Sequence, residues 1–257
     1  MGHYAGAAMM GLLVITGGCR IVENAVSTTP RSGVVALFDI SVSTDQSALK
    51  QRYGNEFLQV LEILAPQGVL IRADAIRGAP LAETTFPIRI YMPRMTVINR
   101  NEMELEDTVR RAREAASQGI AMVFSQGPAT KQTRILDAIE VAARVFQGEE
   151  MKGIPDRRLV IFSDMIESSE RYEFTQIGLK RKAIPQLIAK ERQAKRIPPL
   201  QGVRVWVAGA GAGGGSGLSG ERLRWIEEFW LEYFRAAGAE LHPTRYGSAL
   251  LNFTAAQ

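Results

Sequence analysis

The sequence predicts a three-layer α/β fold in which helices cover both faces of a mostly parallel sheet. Three observations predict it. Apolar runs at Val34-Val35-Ala36-Leu37-Phe38 and Leu159-Val160-Ile161-Phe162, with a related run at Val203-Arg204-Val205-Trp206-Val207, suit strands buried on both faces. Segments between them carry apolar residues at helical spacing. Strands and helices alternate along the chain, with no internal repeat and no second set of caps and strands to mark another domain.

Each element follows from its local pattern. After the first strand, Thr44 or Asp45 is placed to cap a helix whose Leu49, Tyr53, Phe57, Val60, Leu61 and Leu64 share one face. Pro66-Gln67-Gly68 stops that helix, and Val69-Leu70-Ile71-Arg72-Ala73-Asp74 reads as the second strand. Pro80, Pro87 and Pro93 break any long element across 78–100, leaving Ile88-Arg89-Ile90-Tyr91 as an edge strand. Leu105, Val109, Ala112 and Ala116 mark the next helix. Thr133 stands just before Ile135, Ile139, Ala142, Ala143 and Phe146, where its hydroxyl can cap a further helix or face a metal. Gln176–Arg196 reads as a basic, part-helical stretch with a break point at Pro185. Glu221–Ala236 is an aromatic helix, and Leu241 or Leu250-Leu251 supplies a last short strand.

Chemistry gathers where strands end. The first strand runs straight into Asp39-Ile40-Ser41-Val42-Ser43. Open α/β sheets place their ligand crevice past the carboxyl ends of the strands. An acid followed by hydroxyls at alternate positions offers only hard oxygen donors, which suit Mg²⁺ or Ca²⁺ and disfavour Zn²⁺. The apolar run at 159–162 ends in the same manner, on Ser163-Asp164.

The order is a strand ending in Asp-x-Ser-x-Ser, a Thr that opens a helix, and a strand ending in Asp. It resembles the von Willebrand factor A family and its metal-ion-dependent adhesion site. The resemblance covers most of the chain and implies a Rossmann-like, mostly parallel sheet. It also implies a divalent ion, Mg²⁺ or else Ca²⁺ or Mn²⁺, held by Asp39, Ser41, Ser43, Thr133 and Asp164. Two positions depart from the family pattern: Met165 replaces the Gly that often follows the last Asp, and Lys131-Gln132 precede Thr133 in place of small residues. Thr130 is therefore an alternative to Thr133.

Rival chemistries fit less well. Gly209-Ala210-Gly211-Ala212-Gly213-Gly214 satisfies Gly-x-Gly-x-x-Gly, but a dinucleotide fingerprint opens a βαβ unit, and only one helix and a short tail follow here. The run 209–220 reads instead as a loop at the same sheet edge as the metal loops. An Asp-loop phosphatase needs a second carboxylate two residues after the first, where this chain has Ser41. His3 and His242 are the only histidines, and no Gly-x-Ser-x-Gly elbow is present. The expectation is therefore a binding domain and not an enzyme.

Composition bounds the partners. A net charge of +4 is too weak for a nucleic-acid protein without a concentrated patch. The basic run from Lys180 to Arg196 has no interleaved aromatics and reads as a solvated helix face. A single cysteine excludes an internal disulfide. Cys19 closes the apolar segment Met9–Gly18, which resembles a bacterial lipoprotein signal too short to span a bilayer. Met1–Ala8 lacks the Lys or Arg expected of such a signal, and Thr16 stands where Leu is usual.

These readings divide the chain into a signal at 1–18, a tether at 19–32 and one domain at 33–257. The expected protein is anchored by lipid on Cys19 at the periplasmic side of a cell-envelope membrane, with a cytoplasmic location as the alternative. It captures a protein partner that offers a carboxylate to the metal. The alternatives are a scaffold of the same fold without functional metal and a metal-dependent hydrolase.

Overall fold

The computed structural model describes residues 29–77, 86–94, 102–127, 132–176, 179–213 and 217–255. Cys19, Thr130, the 1–18 segment and most of the tether lie outside them. Six strands form one sheet: β1 (Ser32–Asp39), β2 (Val69–Ile76), β3 (Ile88–Met92), β4 (Asp156–Phe162), β5 (Val203–Ala208) and β6 (Glu240–Gly247). Their spatial order is β3-β2-β1-β4-β5-β6, all parallel except the edge strand β3. Among the described residues five α-helices flank the sheet: α1 (Ser47–Leu64), α2 (Glu102–Ser125), α3 (Ile135–Gln147), α4 (Ile184–Gln193) and α5 (Gly220–Ala237).

The strand period of two divides the core into its layers. Val34, Ala36 and Phe38 of β1 pack with the buried residues of α1 and α2. Val35 and Leu37 point the other way, onto α3, α4 and α5. The six α1 positions read from the sequence are the helix's six buried residues. On the opposite layer, Phe229, Trp230, Tyr233 and Phe234 of α5 are buried, with Trp225 partly buried against them.

Strand order fixes where a ligand can sit. From β1 the chain steps to β2 and β3 on one side, then returns across β1 to place β4, β5 and β6 on the other. The reversal lies between β1 and β4, so the crevice past their carboxyl ends is open to a ligand. Register pairs Phe38 with Phe162, their rings stacked at 4.8 Å. Asp39 and Ser163 come next on the two strands.

Several local expectations are corrected. The helix α1 has Gln46 at its N-cap with no side-chain cap; Thr44 instead turns back and donates to the Asp39 and Ser41 carbonyls. Thr133 does not cap α3 either, because Arg134 occupies the N-cap and a distant carboxylate serves the free N–H groups. Pro185 lies in the first turn of α4, where its missing N–H is not needed, so it starts that helix and does not break it. The last strand carries Leu241 and ends at Gly247, leaving Leu250-Leu251 outside it.

Candidate metal centre

Asp39 closes β1 and is fully buried. A short 3-10 turn, Val42–Thr44, follows and curls the chain back over it. The Ser41 N–H donates to Asp39 Oδ1 at 2.9 Å, and the Ser41 and Ser43 hydroxyls meet at 3.0 Å. From β4, the Ser163 hydroxyl donates to Asp39 Oδ2 at 2.7 Å. Between the two serines, Val42 is 56% exposed, so the tip of the turn faces solvent.

Asp164 begins the loop after β4 and is 1% exposed. Its Oδ1 accepts the Ile166 N–H at 3.0 Å. Its Oδ2 is buried and has no hydrogen-bond partner among the described residues. The β5–α5 loop closes over this oxygen. Gly211 donates its N–H to the Asp164 carbonyl at 3.2 Å, and a Cβ added at Gly213 would stand 2.2 Å from Oδ2. The absent side chain thus leaves a cradle beside an orphaned acceptor.

Electrostatics distinguish the pair. Burial pushes both carboxyls up, and hydrogen bonds from Ser163, Ser41 and Thr44 oppose it at Asp39. At Asp164 the charge of Asp39 adds to burial and carries the group to about 7, with nearby Ser43 opposing. No Lys, Arg or His forms an ion pair with either carboxylate among the described residues. A divalent cation would supply the missing charge, and its donor set of carboxylates and hydroxyls is hard. Among the described residues no three His, Cys, Asp or Glu side chains come together, so a cation here would need the hydroxyls.

The structure thus gathers Asp39, Ser41, Ser43 and Asp164 at one end of the sheet. Thr133 is tied to the same loop system by paired backbone bonds with Ser168, at 2.9 and 3.0 Å. No hydrogen bond joins its side chain to the other four among the described residues. The α3 amino terminus beside it is served by Glu167, whose Oε2 accepts the Ile135 and Leu136 N–H groups at 2.8 and 3.1 Å. Burial pushes Glu167 up to about 8 against those bonds.

Sequence reasoning missed Glu167, Ser163 and Gly213. Glu167 lies 32 residues beyond Ile135, so no local capping pattern reveals it. Ser163 was visible only as the neighbour of Asp164. Met165 gains a physical meaning: its φ of 63° lies in the left-handed region that favours the glycine it replaces. Such a backbone costs about 1–2 kcal/mol, which burying the whole side chain offsets on the same scale. Trp230 Nε1 pins the Met165 carbonyl at 2.9 Å.

The sequence matches no family model and no curated protein. Among solved structures, the chain is similar to the manganese-loaded TRAP protein of Plasmodium vivax, at 9% identity and a TM-score of 0.41, covering 86% of this chain and 69% of that one. It is also similar to the conserved hypothetical protein BatB from Bacteroides thetaiotaomicron, at 17% identity and a TM-score of 0.33, covering 69% and 65% of the two chains. A third likeness is to the TFIIH p34 N-terminal domain, at 13% identity and a TM-score of 0.35, covering 85% and 93%.

Proposed function

We propose that this chain is a von Willebrand factor A-like domain that binds a protein partner through a divalent metal. One observation carries the reading: a buried carboxylate pair, one oxygen of it without a hydrogen-bond partner, stands beside two hydroxyls, with no protein cation paired to it among the described residues. Asp39 and Asp164 would supply charge to Mg²⁺, Ca²⁺ or Mn²⁺, and Ser41, Ser43 and Thr133 neutral oxygens. With only two carboxylates the ion stays electrophilic, and a partner's acidic side chain would complete its shell. The exposed Val42 beside the hydroxyls offers that partner an apolar contact. In this reading the domain binds and does not catalyse: an Asp-loop phosphatase would need a second carboxylate two residues after Asp39 as general acid, where this chain has Ser41.

We place the domain at a membrane surface through lipid on Cys19, on the periplasmic side of the envelope. Mass spectrometry of the membrane fraction should find a diacylated peptide beginning at Cys19; unmodified protein starting at Met1 in the cytosol would refute this. For the metal, thermal melts with Mg²⁺ and with chelator decide. Wild type should melt higher with metal, and Asp39→Ala should show no difference. An equal shift in both proteins would put the ion elsewhere and remove the adhesion-site reading.

A further inference from the structure

One buried hydroxyl near the carboxylate pair has no role in holding the fold. Tyr53, on the inner face of α1, is 0% exposed, yet its phenolic oxygen has no hydrogen-bond partner among the described residues. Its ring packs on Phe162 at 5.5 Å. Its oxygen is located by the start of the loop after β5: a Cβ at Gly209 would stand 2.0 Å from it and 2.9 Å from the Ser163 carbonyl. Gly209 has a φ of 107°, so the loop begins in a conformation that lets its backbone pass beneath the phenol. The same Ser163 holds Asp39. Burial, then the charges of Asp39 and Asp164, push the phenol well above its ordinary value, so it keeps its proton and remains a donor.

Two orphaned groups therefore share this end of the sheet, and they are complementary. Asp164 Oδ2, once ionised, can only accept; Tyr53 can donate. They do not bond to one another, and both oxygens of Asp39 are already engaged, by Ser41 and Ser163. A bare ion would satisfy Asp164 and leave Tyr53 unpaired. A hydrated ion satisfies both.

We propose that Tyr53 is a positioning residue of the metal centre, its O–H donating to a water carried by the cation that Asp164 and Asp39 hold. This deepens the metal-dependent reading and rests on it. The phenol would fix one water and so leave the remaining open side of the ion for the partner's carboxylate. Outer-shell partners of this kind are worth tenfold or more in metal affinity.

The test is Tyr53→Phe in the full chain, titrated calorimetrically with Mn²⁺ and melted in chelator, beside wild type and Asp39→Ala. The Phe variant should bind Mn²⁺ about tenfold more weakly. Its metal-free melting temperature should equal or exceed that of wild type, because an unpaired hydroxyl leaves the core. Unchanged Mn²⁺ affinity overturns the proposal, and so does a metal-free variant that melts well below wild type, which would make the hydroxyl structural. If Asp39→Ala loses Mn²⁺ and Tyr53→Phe does not, only the assignment of Tyr53 fails. If wild type shows no Mn²⁺ binding, or Asp39→Ala binds as wild type does, the metal centre itself falls and Tyr53 with it.

Discussion

At the amino end of β1 and β4, Asp156 is held by Ser32 at 2.8 Å, by Arg158 at 2.8 Å and by Arg204. Arg158 is itself fully buried, its guanidinium 5.3 Å from the Trp206 ring and 4.8 Å from the Phe253 ring, and donates to the Thr254 carbonyl. At the carboxyl end of the same two strands, Asp39 and Asp164 are buried as deeply, with no arginine or lysine paired to them among the described residues. Burial pushes every one of these carboxyls up. At Asp156 the arginine hydrogen bonds outweigh it and hold the group below its ordinary value, whereas Asp164 rises to about 7. The fold carries its own counter-charge at one end; at the other, in the function proposed above, a bound cation would supply it. A buried charge without a partner is expensive, so on the metal-dependent function proposed above the second end is the site and the first a strut.

The comparison breaks most readily at the strut. Removing Arg158 leaves Asp156 with Arg204 and Ser32 and takes away the cation that packs on Trp206 and Phe253. Arg158→Ala should cost about 3–5 kcal/mol in urea unfolding, the range for a buried pair that loses one member. Metal response should be untouched, since the two ends share strands but no groups. A loss below 1 kcal/mol would mean that Arg204 carries Asp156 unaided, and the contrast between the ends would be weaker than drawn.

A smaller effect sharpens the other end. Gly213→Ala places a methyl in the cradle beside Asp164 Oδ2. Accommodating it should cost about 1–3 kcal/mol in the metal-free protein and should abolish the rise in melting temperature with Mg²⁺. If that rise survives intact, the cation does not use this oxygen.

Which of these groups were legible in the sequence follows a physical line. Asp39, Ser41, Ser43 and Asp164 could be read because each sits at the end of an apolar run, and strand ends are fixed by local pattern. The order of helices and strands was legible for the same reason. Tyr53 was readable only as core, since it lies among the apolar positions of α1 and nothing local shows that its oxygen emerges beside the site. Gly213 was visible as part of a glycine motif whose use depends on where β5 delivers the loop. Asp156 and Arg158 look like a polar approach to a strand; they become a buried pair only because the tail and Trp206 cover them. Long-range packing, not local spacing, decides all three.

The last difference between the ends is their response to pH in the absence of metal. The ordinary value for Asp164 is 3.8, and its folded value is about 7. Between these the unfolded chain is ionised while the folded chain keeps the proton, so stability is greatest at the acid side and is lost as pH rises toward 7. One group of this kind changes stability by at most about 1.4 kcal/mol per pH unit. Glu167, raised to about 8, carries the same trend slightly further. Asp156 acts with the opposite sign, since its lowered value gives stability that fades only as pH falls through the folded value, outside this window. Metal-free wild type should therefore lose stability between about pH 5 and 7, by up to about 2–3 kcal/mol per unit where Asp164 and Glu167 contribute together. Asp164→Asn should flatten the curve in part, leaving what Glu167 and the other raised carboxyls, Asp39 among them, contribute. Saturating Mg²⁺ should flatten it by the same amount, because an ion on Asp164 keeps the carboxylate ionised in the folded state. Urea melts of both proteins across that range, with chelator and with Mg²⁺, test this directly. A slope unchanged by both the substitution and the metal would place the titrating group elsewhere, and the carboxyl end would lose its claim to be the uncompensated one.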